Sequence, residues 1–193
     1  MKFLRLFLFM VLSGIMLASC YDELDEKTTL TFVGDSLVAR WDLQSCFSSL
    51  NTVNSGLSGA RIDYIRSFAG KLDGLNIVVL IGTNDWAEFS NDVETYTATY
   101  LGAIVATGAR KIYLYDVLPR EFENDPDGIN DFIRDFNASV AEKVVNYPHI
   151  IYMPVFDCFL DKEISIISEY YSDGLHLSPQ GYEILSGKLF EQL

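Results

Sequence analysis

Ser36, Asp173 and His176 are the side chains whose types and order could together perform acyl transfer. A hydroxyl nucleophile needs a base to take its proton, and the base needs a group to orient it. The choice of base is nearly forced, because the chain holds 2 histidines. His149 follows Pro148 at the start of a strand, the wrong end of a sheet for chemistry. His176 lies in Tyr171-Ser172-Asp173-Gly174-Leu175-His176-Leu177-Ser178, just ahead of the last helix. Asp173 precedes it by three positions. In a turn, that spacing lets the carboxylate fold back onto the imidazole Nδ1–H and leaves Nε2 for Ser36. The serine sits in Phe32-Val33-Gly34-Asp35-Ser36-Leu37, a tight turn between a β-branched strand over 29–33 and a helix starting at 37. Its hydroxyl would stand at a strand's carboxyl end and its own N–H at a helix N-terminus, where a developing oxyanion finds a donor. Taken singly, Gly-Asp-Ser is an ordinary strand-to-helix turn and Asp-Gly-Leu-His an ordinary surface loop. The G-x-S-x-G elbow is excluded, since Val38 stands where its second glycine belongs.

The elements that must position these residues follow from hydrophobic periodicity. A second short strand over 50–53 runs into Asn54-Ser55-Gly56-Leu57-Ser58-Gly59, and Ile62, Ile65 and Phe68 make a short helical stripe. Residues 76–81 (NIVVLI) are a continuous apolar run of strand length, the pattern of a strand covered on both faces, ending abruptly in Gly82-Thr83-Asn84-Asp85. Asn91-Asp92 caps a helix carrying Val93, Tyr96, Tyr100 and Ile104, and Gly108 stops it. Residues 111–117 (KIYLYDV) form a strand, and 120–128 a polar loop. Phe132, Phe136, Val140 and Val144 then mark a helix, 149–155 the last strand and 181–193 the last helix. Alternation of strands and helices predicts a parallel sheet covered on both faces, with sites at the strands' carboxyl ends. Every polar stretch named above falls at such an end.

Gly34-Asp35-Ser36, Asn54-Ser55-Gly56, Gly82-Thr83-Asn84-Asp85 and Asp173-Gly174-Leu175-His176 resemble, in order, the four sequence blocks of the SGNH (GDSL-type) hydrolases. The resemblance runs from about residue 29 to the C-terminus. It implies a flavodoxin-like, three-layer α/β/α sandwich with a five-stranded parallel sheet, and no cofactor. It also implies roles: Ser36 the nucleophile, His176 the general base and then acid, Asp173 the orienting carboxylate. The oxyanion hole is expected from the backbone N–H groups of Ser36 and Gly56 and the side-chain amide of Asn84. Asp35 and Asp85 read as structural, holding turns. Trp86, Phe89 and Phe122 follow strands at the active end and are expected to line an acyl or sugar pocket, with aromatic core filling the alternative. The stretch 123–134 is a poor calcium loop, because Arg134 stands where a bidentate glutamate is needed, so no metal is expected.

The first 19 residues read as a signal peptide rather than fold: Lys2 and Arg5, an apolar run over 6–17 too short for an ordinary span, then Leu17-Ala18-Ser19-Cys20. That tetrapeptide resembles the lipobox of bacterial lipoproteins, which makes Cys20 the expected lipidated N-terminus. Residues 20–27 then form an acidic tether, and 28–193 a single hydrolase domain. The expected location is the periplasmic face of the outer membrane or the cell surface. Losing Lys2 and Arg5 would make the formal charge two units more negative than −13. Such an acidic protein repels nucleic acid and anionic head groups and suits a neutral ester substrate. The reading is a serine esterase acting through an acyl-enzyme on short-chain, acetyl esters of carbohydrate. Its rivals are a lysophospholipase or thioesterase, an acyltransferase using the same residues, and a surface glycan binder with an idle fold. Cys46 and Cys158 are either a disulfide or two free thiols, and oligomeric state is open.

Overall fold

The computed structural model describes residues 29–162 and 165–193. The signal peptide, Cys20 and the acidic tether lie outside the described residues. The chain begins with β1 (Thr29–Gly34), followed by α1 (Ser36–Ala39), α2 (Leu43–Cys46), β2 (Asn51–Gly56) and α3 (Ile62–Arg66). Next come β3 (Asn76–Leu80), α4 (Trp86–Asn91), α5 (Val93–Val105), β4 (Lys111–Tyr115) and α6 (Ile129–Val144). The last elements are β5 (Ile150–Met153), a small antiparallel pair β6 (Leu160–Asp161) and β7 (Ser165–Ile166), and α7 (Pro179–Phe190).

The main sheet has 5 strands in the order β2-β1-β3-β4-β5, and every neighbouring pair is parallel. Alternation along the strands sorts their side chains into two cores. Ile77, Val79, Ile112 and Leu114 face α3, α4, α5 and α6. Leu30, Phe32, Val78, Leu80, Tyr113 and Tyr115 face α1, α2 and α7. This is the expected α/β/α sandwich, and the 76–81 run is apolar throughout because both its faces are covered. The chain order reverses direction at β1, which lies between β2 and β3. The crevice at the carboxyl ends of β1 and β3 is the switch point where ligands bind in open α/β sheets. Gly34 ends β1 there, in register with Gly56 and Leu80.

Local differences from the sequence reading have identifiable causes. The expected helix from 37 is two helices, because Asp42 restarts the chain by accepting the Ser45 N–H at 3.1 Å. Asn91 closes the short α4, which periodicity over six residues does not reveal. Asp92 alone caps α5, accepting the Thr95 N–H at 3.0 Å. On α6 the buried stripe is Ile129, Ile133, Phe136, Val140 and Val144, while Phe132 is exposed. Cys46 and Cys158 are free thiols. No helix among the described residues is long and apolar enough to cross a membrane.

Candidate active site

β1 delivers its chain end to α1 through Asp35, and the Asp35 Oδ1 caps the helix by accepting the Leu37 N–H at 2.9 Å. Ser36 is therefore the first helical residue, and its N–H has no intrahelical acceptor. A second latch holds the other end of α1. Asn54 donates from Nδ2 to the Val38 carbonyl at 2.8 Å and to the Trp41 carbonyl at 3.3 Å. The helix that starts at Ser36 is only one turn long, too short to hold by itself. These two side chains, with Leu37 and Val38 in the core, supply what its length does not.

Ser36 Oγ lies 3.1 Å from His176 Nε2, and His176 Nδ1 lies 2.7 Å from Asp173 Oδ2. The spacing of three expected for this pair works because the other carboxylate oxygen, Asp173 Oδ1, accepts the Leu175 N–H at 3.0 Å and the His176 N–H at 2.7 Å. Gly174, at φ +81°, makes that turn. A Cβ there would lie 2.2 Å from the Glu121 carbonyl oxygen, so glycine also admits the loop behind it. Partial burial opposes the charge on Asp173, but the hydrogen bonds from His176 and Leu175 outweigh it. The carboxyl is held below its usual range. It is thus an anion facing the imidazole, as an orienting group must be.

The second and third blocks are clasped to one another. Asn84 Nδ2 donates to the Ala60 carbonyl at 2.8 Å, Arg61 Nε to the Asn84 carbonyl at 3.0 Å, and the Ile62 N–H to Asp85 Oδ2 at 3.2 Å. An amide has two N–H donors. The Ala60 bond aims Asn84 and leaves it one donor. Arg120, on the loop after β4, braces the same turn from the other side, donating from Nη1 to the Thr83 carbonyl at 2.9 Å. Asp35 and Asp85 hold turns as expected, but at a cost. Burial pushes the Asp35 carboxyl up to about 7 and Asp85 up to about 6. Asp35 Oδ2 has no hydrogen-bond partner among the described residues.

Gly56 requires a correction. Its N–H donates to Asn54 Oδ1 at 2.9 Å, so it is not free for an oxyanion. Glycine is needed there for packing: a Cβ would stand 2.2 Å from the Ala39 nitrogen. Four residues on, the Ala60 N–H closes a turn onto the Leu57 carbonyl at 3.0 Å. Gly59 occupies the position of that turn that needs positive φ, with φ +75° and open space around its Cβ position. Its N–H is not consumed by the turn. The turn's last residue, Ala60, is the one that anchors Asn84. The sequence offered two glycines in the stretch 54–59, and only the fold distinguishes them. Asn54, which the sequence reading quoted in the second block without a role, is the residue that latches α1 and takes the Gly56 N–H.

The expected pocket aromatics divide. Phe89 is core: it is 1% exposed and stacks on Phe136 at 4.7 Å. Trp86 is partly buried against that same core. Phe122 is 37% exposed, its ring 6.4 Å from that of His176 and edge-on at 85°. No group of three or more metal-ligating side chains occurs among the described residues.

Known proteins resemble this chain. The GDSL-like Lipase/Acylhydrolase family matches residues 32–184. A Streptococcus pneumoniae structure provisionally described as a platelet activating factor is 31% identical, with 84% of this chain and 82% of that one covered at a TM-score of 0.70. An acetyl xylan esterase from Geobacillus stearothermophilus has the same fold at 17% identity, with 86% and 94% covered and a TM-score of 0.64. An N-acylneuraminate cytidylyltransferase from Escherichia coli O18:K1:H7 is 27% identical over 188 residues, 88% of this chain, which spans only 41% of that relative's length. With a family match over most of its length and a serine, histidine and aspartate gathered at the switch point of its sheet, this chain belongs to the GDSL-like lipase/acylhydrolases.

Proposed function

We propose that the chain hydrolyses short-chain, acetyl esters of carbohydrate through Ser36, His176 and Asp173. The contact that carries the reading is the unbroken relay from Ser36 Oγ to His176 Nε2 at 3.1 Å and from His176 Nδ1 to Asp173 Oδ2 at 2.7 Å. Ser36 Oγ attacks the ester carbonyl while His176 takes its proton. The carbonyl oxygen becomes an oxyanion facing the Ser36 N–H, the free N–H of Asn84 and the Gly59 N–H, which replaces Gly56 in this role. Collapse expels the alcohol, protonated by His176, and leaves an acyl-enzyme. Water deprotonated by His176 then releases the acid and restores the serine.

Support for the substrate class is of two kinds. Two of the matched proteins carry a carbohydrate in their names, an acetyl xylan esterase and an N-acylneuraminate cytidylyltransferase. The net charge of −13 disfavours anionic substrates at long range. The test is a panel of acetyl to dodecanoyl esters and acetylated sugars, run beside Ser36→Ala. The wild type is expected to prefer acetyl esters and to bind a fluorophosphonate covalently, and Ser36→Ala to do neither. A profile rising with chain length would replace this reading with a lipid acylhydrolase. Labelling without turnover would point to an idle site. We also propose that Cys20 carries a lipid anchor at the outer membrane or cell surface, on the strength of Leu17-Ala18-Ser19-Cys20. Metabolic labelling with a fatty acid, lost in Cys20→Ala, is the expected result.

A further inference from the structure

His176 fixes the side on which the alcohol half of the ester departs. The departing oxygen must come within hydrogen-bond reach of Nε2 to receive its proton, while the oxyanion turns toward Ser36 and Asn84. Phe122 stands on the His176 side, edge-on to the imidazole. The Phe122 ring belongs to a braced loop. Its own N–H donates to Asp125 Oδ2 at 2.8 Å, and the neighbouring Glu121 N–H donates to the Gly174 carbonyl at 2.9 Å, inside the turn that sets Asp173 and His176. The Arg120 guanidinium lies 5.9 Å from the Phe122 ring centre. The loop thus touches both the imidazole's turn and, through Arg120 and Thr83, the Asn84 turn.

Around Phe122 opens a cavity of about 420 Å³, lined also by Arg120, Asp125, Asn130 and Asp131. That volume falls within the roughly 300–1,000 Å³ typical of small-molecule sites. Its chemistry is selective. Arg120 is 6% exposed, and all three of its side-chain nitrogens are engaged, Nε and Nη2 by Asp125 and Nη1 by Thr83. The cavity therefore offers no uncommitted cation to a phosphate or carboxylate. It offers an exposed carboxylate at Asp131 as an acceptor, and a half-exposed aromatic ring. A neutral polyhydroxylated ring meets both, with hydroxyls donating to oxygen and its C–H face against the phenyl ring.

We infer that this cavity is the alcohol-side subsite and that it holds an uncharged sugar ring, with Phe122 as its platform. The inference rests on the ester-hydrolase reading above and deepens it. Three probes test it: ethyl acetate, a monoacetylated methyl glucoside, and a monoacetylated glucuronide of the same linkage. The wild type is expected to favour the neutral glucoside over both others in kcat/KM. Phe122→Ala and Phe122→Leu are expected to lower the glucoside-to-ethyl-acetate ratio about tenfold, mainly through KM, and Phe122→Trp to keep it. Asp131→Asn is expected to narrow the gap between glucoside and glucuronide. Thermal melts of each variant check that the fold persists. A ratio unchanged within twofold in Phe122→Ala, equal losses on ethyl acetate and glucoside, or preference for the glucuronide would overturn the subsite. Absence of any Ser36-dependent hydrolysis, ethyl acetate included, would instead overturn the hydrolase reading beneath it.

Discussion

Replacing Asn84 by alanine separates the chemistry of the oxyanion hole from its architecture. The side-chain amide spends one N–H on the Ala60 carbonyl at 2.8 Å, which aims it, and has a second N–H for the proposed oxyanion hole. Losing a preorganised donor of this kind costs about 3–4 kcal/mol of barrier, a fall in kcat of roughly 100- to 1,000-fold. Losing the Ala60 contact is smaller: Asn84 is only half-buried, and a single neutral hydrogen bond is worth about 1 kcal/mol. For a chain of this length that lowers the melting temperature by about 2–4 °C. The expected signature is a collapse of kcat with KM little changed and a fold only slightly weakened. Asn84→Asp sharpens the test. A carboxylate of the same shape cannot donate and repels the oxyanion, so its loss of kcat should be at least as large. Steady-state hydrolysis of an activated acetyl ester at neutral pH, with thermal melts alongside, reads both effects. A fall in kcat of less than about threefold, while Ser36→Ala is inactive, would reduce Asn84 to a strut between two loops and refute its place in the hole.

The two glycines of the stretch 54–59 should fail differently. Gly56→Ala forces a Cβ to 2.2 Å from the Ala39 nitrogen, so it should lose folded protein. Gly59→Ala has room but an unfavourable φ of +75°, costing about 1–2 kcal/mol, and should fold while losing at least tenfold in kcat. Equal behaviour in melts and kinetics would contradict the reassignment. Stability should also fall as pH rises from about 4 to 7, the window between the unfolded and folded carboxyl values. Burial raises Asp35 and Asp116 from 3.8 to about 7 and Asp85 to about 6, so the folded state binds more protons there than the unfolded one. Denaturant midpoints higher at pH 5 than at pH 8, with Asp35→Asn flattening the difference, are expected. A midpoint that climbs across this range would refute it.

How much was legible depended on the range of the interaction that decides each feature. Strands β3 and β4 read directly, because double-sided burial writes itself into a local apolar run. The break between α1 and α2 did not, since it depends on Asp42 capping rather than on hydrophobic period. Phe132 and Ile133 are adjacent apolar residues on one helix. Which of them turned inward depended on where α6 docks against α5 and the sheet, and Ile133 is the buried one. Phe89 and Phe122 are the same residue type, each following a strand at the active end. One stacks on Phe136 in the core and the other stands beside His176, a difference no local pattern encodes.

The sequence by itself picked out Ser36, His176 and Asp173 as a group, because their chemistry is a matter of residue type and their turns are local. Asp173 reaches His176 through a three-residue turn, and Asp35 caps the helix that starts at Ser36. Only the tertiary structure decided which backbone N–H groups remain free to stabilise charge. A donor's availability depends on what lies opposite it, and for Gly56 that partner is Asn54, held in place by its bonds to the Val38 and Trp41 carbonyls.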